Sequence, residues 1–110
     1  MDYIKVLETS QLPVGQMKKV NVKGKDILVA NVDGTYYATA NKCTHLGASL
    51  ERGSLKGSVV TCRSHGAQFD VQDGAAVGKA KIAVLKMGVK DLESHPVKVE
   101  GTEILIGLPE

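Results

Sequence analysis

Cys43-Thr44-His45-Leu46-Gly47-Ala48 and Cys62-Arg63-Ser64-His65-Gly66-Ala67-Gln68-Phe69-Asp70 decide the reading of this chain. The chain holds two cysteines and three histidines, and four of those five residues fall in these two stretches. The first reads C-x-H and the second C-x-x-H, with sixteen residues between His45 and Cys62. A glycine follows each histidine within two residues, Gly47 and Gly66. Two thiolates and two imidazoles converging from two loops can hold one metal centre.

Two kinds of centre use such a donor set. A structural zinc takes two cysteines and two histidines in a closed tetrahedron. A [2Fe–2S] cluster of mixed ligation places two cysteines on one iron and two histidines on the other. Zinc fingers keep their cysteines together and their histidines together. Here each loop supplies one of each, which suits a two-iron cluster lying across two loops. The zinc reading, a structural module for protein binding, stays open as the alternative.

The flanking residues carry a family resemblance. C-T-H-x-G followed by C-x-x-H-G-x-x-F-D is similar to the two cluster-binding loops of Rieske [2Fe–2S] proteins, and the spacing of the loops fits as well. The resemblance implies that Cys43, His45, Cys62 and His65 ligate one [2Fe–2S] cluster per chain. It implies loops at about 41–50 and 61–71, histidines toward an exposed tip and cysteines deeper. It also implies a soluble one-electron carrier rather than an enzyme. Such a ferredoxin draws on a flavin-dependent NAD(P)H reductase and passes its electron to an oxygenase or another redox acceptor.

Departures from the family pattern say which kind of member this resembles. High-potential respiratory members brace the loops with an additional disulfide; the matching places here are Ala48 and Ser64. They also donate hydrogen bonds to cluster sulfur from a serine and a tyrosine; the matching places here are Ala67 and Phe69, which have no hydroxyl. Hydrogen bonds to the sulfurs favour the more negative, reduced cluster, so their absence lowers the potential. The expected potential lies near the low end of the Rieske range, about −150 mV. Arg63 and Ser64 stand where many members have proline and an aromatic. Arg63 either steers an acidic partner or is simply solvated. Gly78-Lys79-Ala80 replaces a Gly-Pro-Ala segment that often covers the cluster. The stretch Lys79–Lys90 is longer than the family pattern and bears Lys79, Lys81, Lys86 and Lys90; solvated lysines are favoured over a docking face.

Composition agrees with a small carrier. At 110 residues the chain reads as a single domain, 1–110, with a modest core. Its 43% hydrophobic and 24% charged residues are ordinary for a globular chain. The formal charge is +2. Loading an oxidised cluster leaves it unchanged, since two thiol protons leave and a core of two positive charges enters. Neither a dense basic patch nor stacking aromatics argue for nucleic acid. Met1-Asp2-Tyr3-Ile4-Lys5 begins neither a signal peptide nor a membrane anchor. With both cysteines needed as ligands no disulfide is available, which fits a reducing cytoplasm. Nothing demands more than a monomer.

The pattern along the chain is β throughout. Strands are expected at Tyr3–Leu7, Gln16–Val22, Asp26–Val32, Thr35–Thr39, Val59–Thr61, Phe69–Val71, Val97–Val99 and Glu103–Ile106. Turns are expected at Leu12–Gly15, Lys23–Lys25, Asp33-Gly34, Gln72–Gly74 and Glu100–Thr102. Short strands with turns at close intervals argue for an all-β antiparallel sandwich or barrel base, with the ligand loops as a small lobe upon it. His95, before Pro96, starts the closing hairpin and reads as a partly buried structural histidine rather than a further metal ligand. Tyr36 and Tyr37 alternate, one inward and one outward. Asp70 and Asp73 read as turn residues.

Overall fold

The computed structural model describes residues 2–44, 47–63, 66–78 and 90–109. Ile27–Val32 is the centre of the architecture. This run is buried at every position, and it belongs to β3 (Lys25–Val32). An unbroken buried run needs cover on both faces. Ile27 and Val29 enter one core with Val22, Ala38, Ile104 and Ile106. Leu28, Ala30 and Val32 enter another with Leu50, Val60, Phe69 and both cysteines. Successive side chains of a strand point to opposite faces, so β3 lies in the middle of three layers.

The middle layer is an antiparallel sheet in the order β2 (Met17–Val22), β3, β4 (Thr35–Ala40) and β9 (Ser94–His95). Its first two connections are two-residue hairpins. Lys23-Gly24 and Asp33-Gly34 both have positive φ at each residue, the geometry whose twist matches the flanking strands. Buried Asn31 secures the second hairpin, accepting from the Gly34 N–H at 2.8 Å and donating to the Leu12 carbonyl at 2.8 Å.

One outer layer is the sheet β1 (Asp2–Glu8), β11 (Glu103–Leu108) and β10 (Val97–Glu100), in that order. It joins the chain's two ends and packs Leu7, Ile104, Ile106 and Leu108 against the middle sheet. The other outer layer is a meander of β5 (Ser54–Lys56), β6 (Val59–Thr61), β7 (Gln68–Asp70) and β8 (Ala76–Gly78). The only helical pieces among the described residues are two 3-10 turns, Thr9–Gln11 and Leu50–Arg52. The all-β antiparallel expectation therefore stands; the second candidate loop joins β6 to β7 within the meander, and the first leads from β4 toward it.

Three sequence expectations change. Tyr36 and Tyr37 do point to opposite faces, but neither is outward: Tyr36 packs on the core shared with β11, and Tyr37 on the core holding the cysteines. Both are half-buried, so each face of β4 is covered in part at that point. His95 does not start the closing hairpin. It forms β9 against β4, opposite Ala38, and Pro96 then separates it from β10, because proline has no N–H to continue a ladder. The strands β5, β8 and β9, each three residues or fewer, were not expected. Gly78 closes β8, so the expected Gly78-Lys79-Ala80 cover and the stretch from Lys79 lie outside the described residues apart from Gly78 and Lys90.

Candidate metal centre

The first loop leaves β4 at Ala40 and is closed by the 3-10 turn at Leu50. Asn41, 3% exposed, ties its two ends together. The Asn41 amide donates to Ser49 Oγ at 2.7 Å, and its side-chain oxygen accepts from the Glu51 N–H at 3.1 Å. Its backbone carbonyl accepts from the Leu50 N–H at 2.8 Å. Sequence reasoning passed over Asn41. The available signal was an amide directly at a strand end, a residue type that bonds loop backbone well.

Within this frame Cys43 turns the chain tightly. Its N–H donates to the Ala48 carbonyl at 2.8 Å, and its carbonyl accepts from the Gly47 N–H at 2.7 Å. Gly47 holds φ +77°, a left-handed conformation that costs a side-chain-bearing residue but not glycine. Thr44 donates its hydroxyl to the Lys90 carbonyl at 2.6 Å. That bond pins the C-T-H stretch to the segment returning to the middle sheet. The return is itself stapled: the Leu92 N–H donates to Gly74, the Ala40 N–H to Glu93, and the Ala76 N–H to Asp91 Oδ1 at 2.9 Å.

The second loop repeats the device. Cys62 follows β6, and its N–H donates to the Ala67 carbonyl at 2.7 Å, immediately before β7. Gly66 holds φ +74°, and Gln68 Nε2 donates to Thr61 Oγ1 at 3.2 Å beneath the loop. Both cysteines thus start a reverse turn that is closed on an alanine carbonyl and contains a left-handed glycine. Gly53, which ends the 3-10 turn of the first loop, lies against the Thr61 carbonyl at the start of the second, so close that a Cβ would collide with it.

Both cysteine side chains converge on one apolar core. Cys43 and Cys62 are each 1% exposed, and they share that core with Leu28, Leu50, Val60, Ala67, Phe69 and Leu92. They are not joined in a disulfide. His45 and His65, with their neighbours Leu46 and Ser64, lie outside the described residues. The donor chemistry fits a cluster of mixed ligation: two buried sulfurs, backed by apolar side chains, stand at the starts of two matched turns.

His95 stands apart from this set. It is 8% exposed, and pairing with Ala38 puts it on the face of the middle sheet away from the cysteines. Its Nε2 lies 3.4 Å from Glu93 Oε1. Burial holds its pKa below the usual histidine value, against the pull of Glu93 and with a further push from Lys25. It is a structural histidine, as expected. Asp70 and Asp73 also act as turn residues, accepting from the Gln72 and Ala75 N–H groups at 2.9 Å.

Residues 2–87 match the Rieske [2Fe-2S] domain. The chain belongs to that family. It is 34% identical over 106 residues to the ferredoxin component of a naphthalene 1,2-dioxygenase system from Pseudomonas aeruginosa, covering 96% of this chain and 95% of the relative. Among solved structures it is similar to the ferredoxin of carbazole 1,9a-dioxygenase from Nocardioides aromaticivorans IC177. That match has a TM-score of 0.84 and 30% identity, covering 96% of this chain and 97% of the other. It is likewise similar to a chain in the complex of reduced oxygenase and oxidised ferredoxin of carbazole 1,9a-dioxygenase, with a TM-score of 0.83, 30% identity, and 94% and 91% covered. This Rieske chain is an electron-transfer protein that binds a [2Fe–2S] cluster. It is not itself an enzyme, and the structural zinc module is set aside.

Proposed function

We propose that Cys43 and Cys62 hold one iron of the cluster and His45 and His65 the other, within a single domain spanning 1–110. The observation that supports this is the pair of matched turns, which sink both cysteines into one core; the sequence sets one histidine between the ends of each turn. When bound, the cluster supplies one reversible one-electron couple. The chain's own residues do the rest. The cysteine backbone turns fix the ligand positions, Asn41 and the Thr44–Lys90 bond hold the first loop, and the apolar core keeps water from the sulfurs.

The electron arrives from a flavin-dependent NAD(P)H reductase and leaves to an oxygenase of the kind named for the relatives. The related ferredoxin solved with its oxygenase supports the acceptor. Docking is transient, through the tip formed by the two loops; carriers of this kind use small interfaces below about 1,200 Å². The carrier acts as a monomer in the cytoplasm, where two ligand cysteines stay reduced. No helix among the described residues is long and apolar enough to cross a membrane. The potential is low for the family: Ala67 and Phe69 are fully buried in the cysteine core and neither carries a hydroxyl.

The test is reduction by the NADH-fed reductase of a naphthalene 1,2-dioxygenase system and reoxidation by its oxygenase, followed in the visible spectrum. The wild-type protein should cycle. Cys43→Ser and Cys62→Ser should lose the red-brown colour and the cycle together, since thiolate donors to iron are lost. A normal spectrum in Cys43→Ser would refute the ligand assignment.

A further inference from the structure

The two candidate loops are bordered by cations that no described acid neutralises. Lys42 directly precedes Cys43, and Arg63 directly follows Cys62. Lys90 is joined to the first loop through its carbonyl, which accepts the Thr44 hydroxyl at 2.6 Å. All three are exposed. None forms an ion pair with a described residue. The outer sheet on the other side differs: Lys5 meets Glu8 at 2.6 Å and Glu103 at 3.5 Å, and Lys98 meets Glu100 at 3.5 Å.

The acids near the loops are turned to other partners. Glu51 faces Lys19 at 4.0 Å, Glu93 faces His95, and Asp91 accepts from the Ala76 N–H. A groove of about 400 Å³ runs from Gly47 with Lys42, Lys25 and Lys19 on its wall, against the two acids Asp26 and Glu93. Asp26 on the same wall accepts from Asn21 at 3.0 Å.

We propose that Lys42, Arg63 and Lys90 form an electropositive rim around the cluster loops that recruits an acidic face of the redox partner. This rests on the carrier reading above. Screening is the physical reason that the rim matters more than the net charge of +2. The Debye length is about 8 Å at physiological ionic strength, so an approaching partner senses chiefly the charges beside the electron's exit. Complementary charge there raises encounter rates and fixes orientation, and a basic partner face is repelled.

Charged one-electron oxidants test the sign of the rim. The reduced holoprotein loses one electron to hexacyanoferrate(III), an anion, giving hexacyanoferrate(II), or to tris(phenanthroline)cobalt(III), a cation, giving the cobalt(II) complex. Stopped-flow rates would be taken at low and high salt. The anionic oxidant should slow as salt rises and the cationic one should quicken. The triple variant Lys42→Gln/Arg63→Gln/Lys90→Gln should react about tenfold more slowly with hexacyanoferrate at low salt. A Lys5→Gln/Lys98→Gln control on the far sheet should match wild type. A second readout needs no electron transfer: a dye-labelled deca-aspartate peptide should bind wild type in low salt and bind the triple variant several-fold more weakly. Overturning results would be a triple variant indistinguishable from wild type in both assays, or anionic and cationic oxidants with the opposite salt trends. A protein lacking the [2Fe–2S] spectrum would sink the carrier reading instead, and the peptide would still report on the rim.

Discussion

At the scale of single residues, the cysteine core is where the proposed site and its tuning can be probed. Ala67 supplies the carbonyl that closes the second turn, and its methyl group is buried in the core that holds both cysteines. Ala67→Ser would place a hydroxyl in that core. A hydrogen bond to a charged group contributes about 1.5–3 kcal/mol. With about 59 mV per tenfold for one electron, the potential should rise by at most about 60–130 mV. Voltammetry of the variant checks this, and an unchanged potential would remove the hydrogen-bond argument. His95 belongs at the same scale. Burial lowers its folded-state pKa, so the unfolded chain binds the proton more readily. Its contribution to stability is then complete above the unfolded value of about 6.5 and is lost as pH falls from there toward the folded value. Thermal midpoints at about pH 7.5 and about pH 5.5 should therefore fall further for wild type than for His95→Gln. Equal slopes would show that His95 is not the linked group. The burial of both cysteines and the structural role of His95 were legible in the sequence, because C-x-H and C-x-x-H are rare patterns and a lone histidine before proline is a common structural one. Asn41 was not, since a clamp joining residues 41, 49 and 51 exists only once the loop has closed.

At the scale of elements, turn chemistry could be read and short edge strands could not. Asp33-Gly34 between two hydrophobic runs announces its hairpin, and the structure gives both residues the positive φ it requires. By contrast β5, β8 and β9 are edge strands of three residues or fewer, each paired on one side only. They exist because neighbouring strands leave backbone groups to pair, as when Ser94-His95 completes the edge of β4. The same logic hid the tight glycine at 53. Its φ is −85°, available to any residue, so its need for glycine comes wholly from the Thr61 carbonyl opposite. Gly53→Ala should force the two ligand loops apart and destabilise the protein by at least about 2 kcal/mol, with reduced cluster content. Denaturant unfolding together with iron analysis would show it. A variant of wild-type stability and full iron would mean that the loops are not held at that contact.

At the scale of the whole molecule, the three-layer arrangement gives the cluster lobe a rigid back wall. The middle sheet is shared by two cores, one with the cysteines and one with the terminal strands, so the loops rest on β3 rather than on solvent. The continuous apolar run Ile27–Ala30 carried this information, although the alternation at Tyr36 and Tyr37 was read as a sheet with one wet face. What alternation reveals is which side chains part company across a strand; whether the far side is covered depends on segments distant in sequence. Rigid support, with the hydroxyl-free Ala67 and Phe69 buried in the cysteine core, underlies the low potential proposed for this carrier. The reduction potential of the purified protein, scanned by film voltammetry from neutral to alkaline pH, tests that claim most directly. The account predicts a reversible one-electron wave near about −150 mV, flat around neutrality and falling once the histidine ligands deprotonate. A high potential already falling near neutral pH, or no wave from a colourless protein, would contradict it.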